Sequence, residues 1–338
     1  MDLKNHRAVR TAATHAVLDN PGNPKALIGV YVAITVGLSL LSTAIIALLD
    51  NRIAQTGGLA NMGSRSILST IRTILPMLLA LALMVLQLGY RKAALNMARH
   101  RPVVPKTLTL GANRFGPMLR ASILQYILYA LLMILAMYVA AFIFMYTPLS
   151  SGFYEAATPL LSDPEALTEA LNMDSDLFPQ LAMTLLPAIP IFLVLALAIC
   201  APFFYGYRMV GYWVLNGLGA RASMRASKQM MKGHRVELLK LDLSFWWFYL
   251  AHGLTTVILY GDVLLGMVGI SLPFSASVIA YLFYGLSMLA EGLLFYFFLN
   301  RVETAYAIAF HILCPKNPPT QGVVLGNIFD LAKDHQEP

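Results

Sequence analysis

The chain has 338 residues, of which 58% are hydrophobic and only 12% are charged. Soluble domains carry roughly 25% charged residues, so this composition leaves too little polar surface for a water-soluble globule of this size. The formal net charge is +7. The two cysteines, Cys200 and Cys314, stand in no short-spaced metal or redox motif, which excludes a disulfide framework.

The first 25 residues form a basic amphipathic segment, which we expect to lie on the cytoplasmic side. Pro21 and Pro24 separate it from an apolar block that is too long for the core of a cleavable signal peptide. This block has the right length for a membrane span instead.

Six apolar blocks are long enough to cross a membrane as helices. At 1.5 Å per residue they reach about 27–43 Å, against a hydrocarbon layer of about 30 Å. None has the alternation of a barrel strand, so we predict an all-α membrane protein with a bundle of six transmembrane helices within residues 26–314. The predicted spans are Ala26–Leu49, Thr73–Leu95, Met118–Tyr146, Met183–Tyr205, Leu243–Tyr260 (or on to Met267) and Ser277–Asn300.

Positive charges are concentrated on one side of these spans. All Lys and Arg residues except Arg52, Arg65 and Arg72 fall in the N-terminal segment, in the connections 91–117 and 208–240 and their flanks, or after the sixth span. The positive-inside rule therefore places both termini in the cytoplasm.

The connection 147–182 has six acids and no Lys or Arg, in agreement with an external position. Asp163 and Pro164 predict the start of a short external helix that runs to Asn172. Residues 315–338, which contain several prolines, are expected to form a loosely ordered cytoplasmic tail.

A short repeat follows three of the spans. The second span ends in Gly89-Tyr90-Arg91, the fourth in Gly206-Tyr207-Arg208, and the sixth in Leu299-Asn300-Arg301. In each case helical sequence continues past the arginine. We infer three related helical hairpins, each ending in a helix that overruns the cytoplasmic face.

The segment Arg221–Gly233 predicts a basic amphipathic helix. Arg221, Arg225, Lys228 and Lys232 are spaced at i, i+4, i+7 and i+11, which places them in one stripe, and Gly233 is suited to end the helix. The simplest interpretation is a helix at the headgroup layer, attracted to anionic lipid. A specific lipid-headgroup or phosphate site is the alternative.

The same segment carries a family resemblance. Ala222–His234, followed by Leu239–Trp246, resembles the "Ser … Met-Lys-Gly-His … Leu-Asp-Leu-Ser-Phe" signature of an uncharacterised family of bacterial multi-pass membrane proteins, a domain of unknown function. The layout is also similar, more loosely, to the membrane domain of glycerophosphodiester phosphodiesterases. The resemblance implies a protein of the bacterial cytoplasmic (plasma) membrane and supplies no catalytic residue.

Polar residues near the fifth span have structural interpretations. Asp242 and Ser244 stand at its start, where they are expected to cap the free N–H groups of the helix. Trp213 and the Trp246-Trp247 pair fit interfacial anchors. His252, inside the span, is expected to be a bonded core residue.

Glu291 is the one acid deep in a predicted span. Such a group costs on the order of 3 kcal/mol on the insertion scale, so it faces a bundle interior or a cavity. It is either a proton or cation site, or a structural glutamate bonded to Gln87, Gln125 or a tyrosine. The fourth span carries Pro187, Pro190 and Pro202, which predict a bent helix of the kind that lines transport sites.

No nucleophile, acid–base pair or metal-ligand spacing is present, so the sequence favours a non-enzymatic protein with no cofactor and no metal. The basic connections lack interleaved aromatics, which argues against nucleic acid. The expected partners are membrane lipids, preferentially anionic. Two function classes stay open: a scaffold or partner subunit that engages anionic lipid through its basic face, and a small-solute or ion transporter that uses Glu291 and the bent fourth helix.

Overall fold

The computed structural model describes residues 2–55, 62–161, 184–267 and 276–314, and every regular element in these ranges is helical. The α-helices are α1 (His6–Leu18), α2 (Pro24–Gln55), α3 (Met62–Ala98), α4 (Phe115–Met145), α5 (Ser151–Leu161), α6 (Ala188–Tyr207), α7 (Val210–Leu215), α8 (Ala220–Met230), α9 (Arg235–Ser244), α10 (Trp246–Leu259), α11 (Gly261–Met267), α12 (Ala276–Leu294) and α13 (Asn300–Leu313). Two 3₁₀ segments, Pro105–Arg114 and Pro148–Ser150, and a π-helical turn, Phe295–Leu299, connect some of them.

Five helical stretches in the described residues are long and apolar enough to cross a membrane. They are Pro24–Ile53, Ser66–Ala98, Pro105–Met145, Ala188–Leu215 and Val278–Leu313. These stretches overlap the predicted first, second, third, fourth and sixth spans, which confirms a multi-pass, all-helical membrane protein. The predicted fifth span is divided at Tyr260 between α10 and α11, so neither helix alone has the required length.

Asparagine side chains fix the starts of the first two helices. Asn5 accepts a hydrogen bond from the Ala8 N–H at the start of α1. Asn23 accepts one from the Ala26 N–H, and Pro24 occupies the first position of α2. Both caps satisfy N–H groups that have no partner inside the helix, and proline at the first position removes another unpaired donor.

Helices α2 and α3 pack as an antiparallel pair. The rings of Tyr31 and Tyr90 stack with their centroids 4.6 Å apart, and the Arg72 Nε lies 2.6 Å from the Asp50 Oδ1. The two contacts are separated by about 28 Å along the helices, close to the thickness of the hydrocarbon layer. Pro76 lies inside α3 and does not end it.

Helices α10 and α11 together pack antiparallel to α12. Trp247 meets Phe298 with ring centroids 4.3 Å apart, and the Ser287 hydroxyl donates to the Thr255 carbonyl over 2.7 Å. A Cβ atom on Gly261 would meet the ring of Phe283, which shows that the register continues into α11.

Residues Arg120–Arg208 form one compact unit of the chain, and the rest of the chain forms the other. Within the smaller unit, α4 and α6 are antiparallel. The Cys200 Sγ lies 3.7 Å from the Met133 Sδ, and the Gln125 Nε2 donates to the Tyr207 carbonyl over 3.3 Å.

The three prolines of the predicted fourth span have different positions in α6. Pro187 is the N-cap residue and Pro190 lies in the first turn, where the N–H groups have no intrahelical partner. Pro202 alone lies in the helix interior and removes a backbone hydrogen bond. The expectation of three helix-bending prolines is therefore corrected to one.

The best-packed part of the larger unit is the region where helices overrun the predicted spans. We call it the basic layer: α1, α3 from residue 88 onward, the 3₁₀ segment 105–114, α7, α8, α9 and α13. The largest fully buried side chains in or next to these elements include Leu88, Tyr90, Leu95, Met97, Leu108, Met231, Leu238, Tyr306 and Phe310. Trp213, predicted as an interfacial anchor, is only 3% exposed and packs edge-on against Phe310, because α7 lies inside the layer.

Glycines let backbones touch in the basic layer. A Cβ atom on Gly89 of α3 would overlap the backbone of Leu108, and one on Gly111 would overlap the carbonyl of Val85. The 3₁₀ segment therefore lies directly on α3 with no side chain between the two backbones.

The predicted external helix 164–172 and the predicted tail 315–338 lie outside the described residues, as does most of the acidic connection 147–182.

Candidate functional site

The four predicted cations form a stripe on helix α8 and its C-terminal turn. Arg221, Arg225, Lys228 and Lys232 are all exposed, as the i, i+4, i+7 and i+11 spacing predicts. The helix ends at Met230, and Gly233 takes a φ of +88°, a left-handed conformation that glycine adopts without steric strain. The predicted helix and its glycine stop are confirmed.

The opposite face of α8 is occupied by protein. Ser223, Ser227 and Met231, spaced four residues apart, have no exposed surface, and the Ser223 hydroxyl donates to the Leu218 carbonyl over 3.4 Å. The helix packs against α7. An interfacial helix of the usual kind buries its apolar face in lipid, whereas here that face is used for packing, so only the charged stripe is free to meet a ligand.

No carboxylate neutralises the stripe within the described part of the chain. The described residues make four close contacts between acidic and basic side chains. The Arg72–Asp50 ion pair is the one that involves a Lys or Arg, and the other three involve histidines. None of them includes a residue of the stripe. The four cations are therefore open to an external anion.

A second group of cations lies at the end of α3. Lys92 is about half-buried and interacts electrostatically with Arg99, Arg101 and Arg114, all of the same sign. Repulsion among these groups is relieved when an anion binds among them. The sequence places these residues in one basic connection and gives no signal that they meet.

Asp242 and Ser244 are not helix caps, which corrects the sequence interpretation. The fifth span does not start at residue 243: both residues belong to the last turn of α9, and Phe245 takes the N-cap position of α10. The Ser244 hydroxyl donates back to the Leu241 carbonyl over 2.6 Å, and Asp242 accepts from the Tyr249 hydroxyl over 3.2 Å. The Asp242 contact joins α9 to α10, whereas the Ser244 contact lies within α9, and both are structural.

Glu291 has a partner that the sequence did not predict. The carboxylate Oε1 lies 3.6 Å from the Nδ1 of His252 on α10. Gln125, one of the expected partners, donates instead to the Tyr207 carbonyl, and the side chain of Gln87 is exposed. His252 was expected to be a bonded core residue; its Nδ1 is buried without a hydrogen bond among the described residues.

Buried tyrosines join the helix ends of the basic layer. The Tyr90 hydroxyl donates to the Asn300 Oδ1 over 2.6 Å, and the Asn300 Nδ2 donates to the Pro24 carbonyl over 3.2 Å. The Tyr212 hydroxyl lies 3.2 Å from the Glu303 Oε2. Sequence reasoning missed these contacts, although Tyr90 and Asn300 each precede the arginine of a repeat, which was the available signal.

The described residues offer little for covalent or metal chemistry. No group of three His, Cys, Asp or Glu residues among them is placed to hold a metal ion. Burial raises the pKa of the Cys314 thiol, and the nearby Arg99 opposes this effect. A thiol with a raised pKa has little reactive thiolate at neutral pH, so Cys314 does not have the environment of a nucleophile.

Comparison with known proteins gives one match. The sequence model of a family described as "Protein of unknown function (DUF975)" matches residues 2–313. No curated protein and no solved structure matches. The looser resemblance to the membrane domain of glycerophosphodiester phosphodiesterases is not shown by these comparisons.

Proposed function

We propose that this chain, which belongs to the DUF975 family of proteins of unknown function, is a non-enzymatic membrane protein that engages anionic lipid through its basic layer. The family match covers nearly the whole chain, so the proposal concerns the complete helical fold. The ligand chemistry is the phosphate of a lipid headgroup, which guanidinium and ammonium groups bind through charge-assisted hydrogen bonds.

The observation that carries the proposal is the fixed stripe on α8. The exposed cations lie on one face, while Ser223 and Ser227 on the opposite face are fully buried. The packing thus fixes the helix that carries the cations, so no helix has to form when they bind an anion. Each basic residue near an anionic surface contributes about 1 kcal/mol.

The like-charge group around Lys92 supports the same function. Arg99 directly follows the last residue of α3, seven residues after Lys92, and Arg114 ends the 3₁₀ segment that packs on that helix. Together with the α8 stripe, these residues give the basic layer two positive regions. Both fit the headgroup region of a membrane rich in anionic lipid.

We further propose six spans in three hairpins. Support comes from the paired contacts: α2 with α3, α4 with α6, and α10–α11 with α12 are each antiparallel. The contacts from Phe283 of α12 to Phe298 of the following π-helical turn cover about 22 Å, so α10 and α11 together lie along most of this helical stretch. They form the sixth crossing, with an irregular turn at Tyr260.

The orientation that fits this function places the basic layer and both termini in the cytoplasm of a bacterium, in the plasma membrane. The asymmetric distribution of Lys and Arg supports this orientation. The Arg72–Asp50 ion pair lies at the opposite end of α2 and α3, where we place the external surface.

The test is lipid selectivity of the full chain. The purified protein is exchanged into mixed phosphatidylglycerol and phosphatidylcholine, and retained lipid is measured by native mass spectrometry. We expect retention of phosphatidylglycerol to fall roughly thirtyfold in the double variant Arg221→Gln/Arg225→Gln, because two charges at about 1 kcal/mol each are lost. Added salt weakens retention by the natural chain more than by the variant.

A matched control removes the same two charges elsewhere. In Arg52→Gln/Arg72→Gln the two charges are removed at the opposite end of the spans. This variant should retain phosphatidylglycerol within about twofold of the natural chain, since the two positions lie more than a Debye length from the stripe. Equal losses in the two double variants, or no loss in the first, would refute the proposal.

A second candidate function, the passage of protons or small solutes, has one observation in its favour. The His252 imidazole lies 3.6 Å from the Glu291 carboxylate, inside helices that pack in the predicted membrane region. Ionisable residues in such positions mark proton and ion pathways in many membrane proteins.

A further inference from the structure

A histidine and a glutamate face each other across the α10–α12 helix pair. The Nδ1 of His252 and the Oε1 of Glu291 are 3.6 Å apart, and the Nδ1 makes no hydrogen bond among the described residues. One turn away, the Ser287 hydroxyl donates to the Thr255 carbonyl, and both of these residues are buried. That hydrogen bond fixes the register of the two helices, so the proximity of imidazole and carboxylate follows from the packing.

Aromatic and aliphatic groups surround the pair. The ring of Phe295 lies 5.7 Å from the His252 ring at an angle of 31°, and Val32 and Val36 of α2 pack against Gly292. The π-helical turn begins at Phe295, one helical turn after Glu291. Single π-helical turns inside α-helices occur frequently at functional sites.

Other titratable groups act on the pair from neighbouring elements. On α2, Tyr31 interacts electrostatically with Glu291, and the same phenol interacts with Glu303 and Arg91 of the basic layer. His252 is the partner from α10. No Lys or Arg forms an ion pair with Glu291 within the described residues, so no permanently charged cation of this part of the chain neutralises its carboxylate.

The charge of the pair depends on how many protons it holds. With one proton the pair is neutral, whether the proton lies on the imidazole or on the carboxyl group. Losing that proton leaves a net charge of −1, and gaining another leaves +1. Both charged states are unfavourable in a medium of low dielectric constant, so the state with one proton is stabilised.

We propose that His252 and Glu291 form a proton-binding site that holds one shared proton in the membrane-spanning region. Among the described residues no third His, Cys, Asp or Glu joins them to complete a metal site, so the ligand that we propose is a proton. The side chains are 45% and 25% exposed, so protein does not enclose the site completely. The site is independent of lipid engagement. Proton transport by this chain would require the His252–Glu291 site, but the site can bind a proton in a protein that transports nothing.

The test uses dicyclohexylcarbodiimide, an apolar reagent that adds to protonated carboxyl groups. The full chain in phospholipid nanodiscs is treated across a pH series, and the adduct at Glu291 is measured by peptide mass spectrometry. We expect labelling of Glu291 that falls as the pH rises, and no adduct at this position in Glu291→Gln. Absence of labelling at every pH in the natural chain would overturn the proposal.

The variant His252→Leu tests whether the proton is shared. Without the imidazole, the carboxyl group must hold the proton alone, and the carboxylate loses the nearby group that can carry a positive charge. Because the proton can then lie only on the carboxyl group, we expect the pH midpoint of labelling to rise and the adduct at alkaline pH to increase at least threefold. His311→Leu, which changes an exposed histidine of α13, is the matched control and should leave the profile unchanged.

A folding control keeps the comparison clear. His252→Gln retains polarity without binding a proton, so it should shift the midpoint in the same direction as His252→Leu. Each variant is compared only after it elutes as the natural chain does. Identical pH profiles for the natural chain and either folded His252 variant would show that the two residues do not share a proton.

Discussion

Two regions of this protein bury their side chains to very different extents. In the most apolar windows of the five candidate spans, between 0% and 17% of the residues are buried by protein, whereas Tyr90, Leu95 and Met97 in the basic layer are at most 1% exposed. Lipid covers an apolar side chain as well as protein does, so the spans need few tight contacts with one another. In the proposed orientation the basic layer meets water and excludes it by close packing. Specific tertiary structure is therefore concentrated in the layer.

The largest effect is expected where two backbones of the layer touch. In Gly89→Ala the added methyl group would overlap the backbone of Leu108, which cannot rotate away as a side chain can. We expect a loss of more than about 3 kcal/mol of stability, or no folded protein. Thermal unfolding in detergent, followed by size-exclusion chromatography, measures the effect.

Gly253→Ala on α10 is the matched control in a span, because nothing lies within 4 Å of its added Cβ atom. It should be neutral or slightly stabilising, since alanine favours a helix by up to about 1 kcal/mol over glycine. If both glycine variants unfold at the same temperature, the contrast between layer and spans is wrong.

An intermediate effect is expected for the hydrogen bond between the repeats. Tyr90→Phe removes the donor that lies 2.6 Å from the Asn300 Oδ1, and Asn300 is only 6% exposed. The unsatisfied oxygen should reduce stability by about 1–3 kcal/mol. The same unfolding measurement applies. Tyr126→Phe, at a tyrosine 72% exposed, is the control, and an equal loss there would contradict the interpretation.

The smallest effect is expected for the ion pair at the far end of the spans. The side chains of Arg72 and Asp50 are 53% and 43% exposed, so solvent screens their 2.6 Å contact. Arg72→Gln should reduce stability by less than about 1 kcal/mol, and added salt should shrink the difference further. Arg52→Gln serves as the comparison. A loss as large as that of Tyr90→Phe would show that the spans depend on specific contacts after all.

The membrane architecture could be predicted from the sequence because lipid imposes simple requirements on a membrane-spanning segment. A span must be apolar, about 20 residues long and helical, and composition reports all three. The α8 stripe was also predicted correctly, since residues four apart share a face on any helix. The fifth span was not confirmed as one helix, because the break at Tyr260 leaves no mark in hydrophobicity.

The contacts between residues far apart in the chain could not be predicted from the sequence in the same way. Asp242 and Ser244 were assigned to the wrong helix end, because a second helix, α9, precedes the apolar stretch without a proline or glycine to separate them. Glu291 was recognised as unusual, but its expected partners were Gln87, Gln125 or a tyrosine, and His252 was not considered. A partner on another helix depends on register, which no local pattern encodes.

By itself, the sequence determined that the chain is a helical membrane protein, where most of its spans lie and which end carries the positive charge, because these properties depend on local composition and helical period. The tertiary structure decided which face of α8 is buried, that Tyr90 meets Asn300, and that His252 lies beside Glu291. Those outcomes depend on how helices far apart in the chain pack and align, and they are the ones on which both proposals rest.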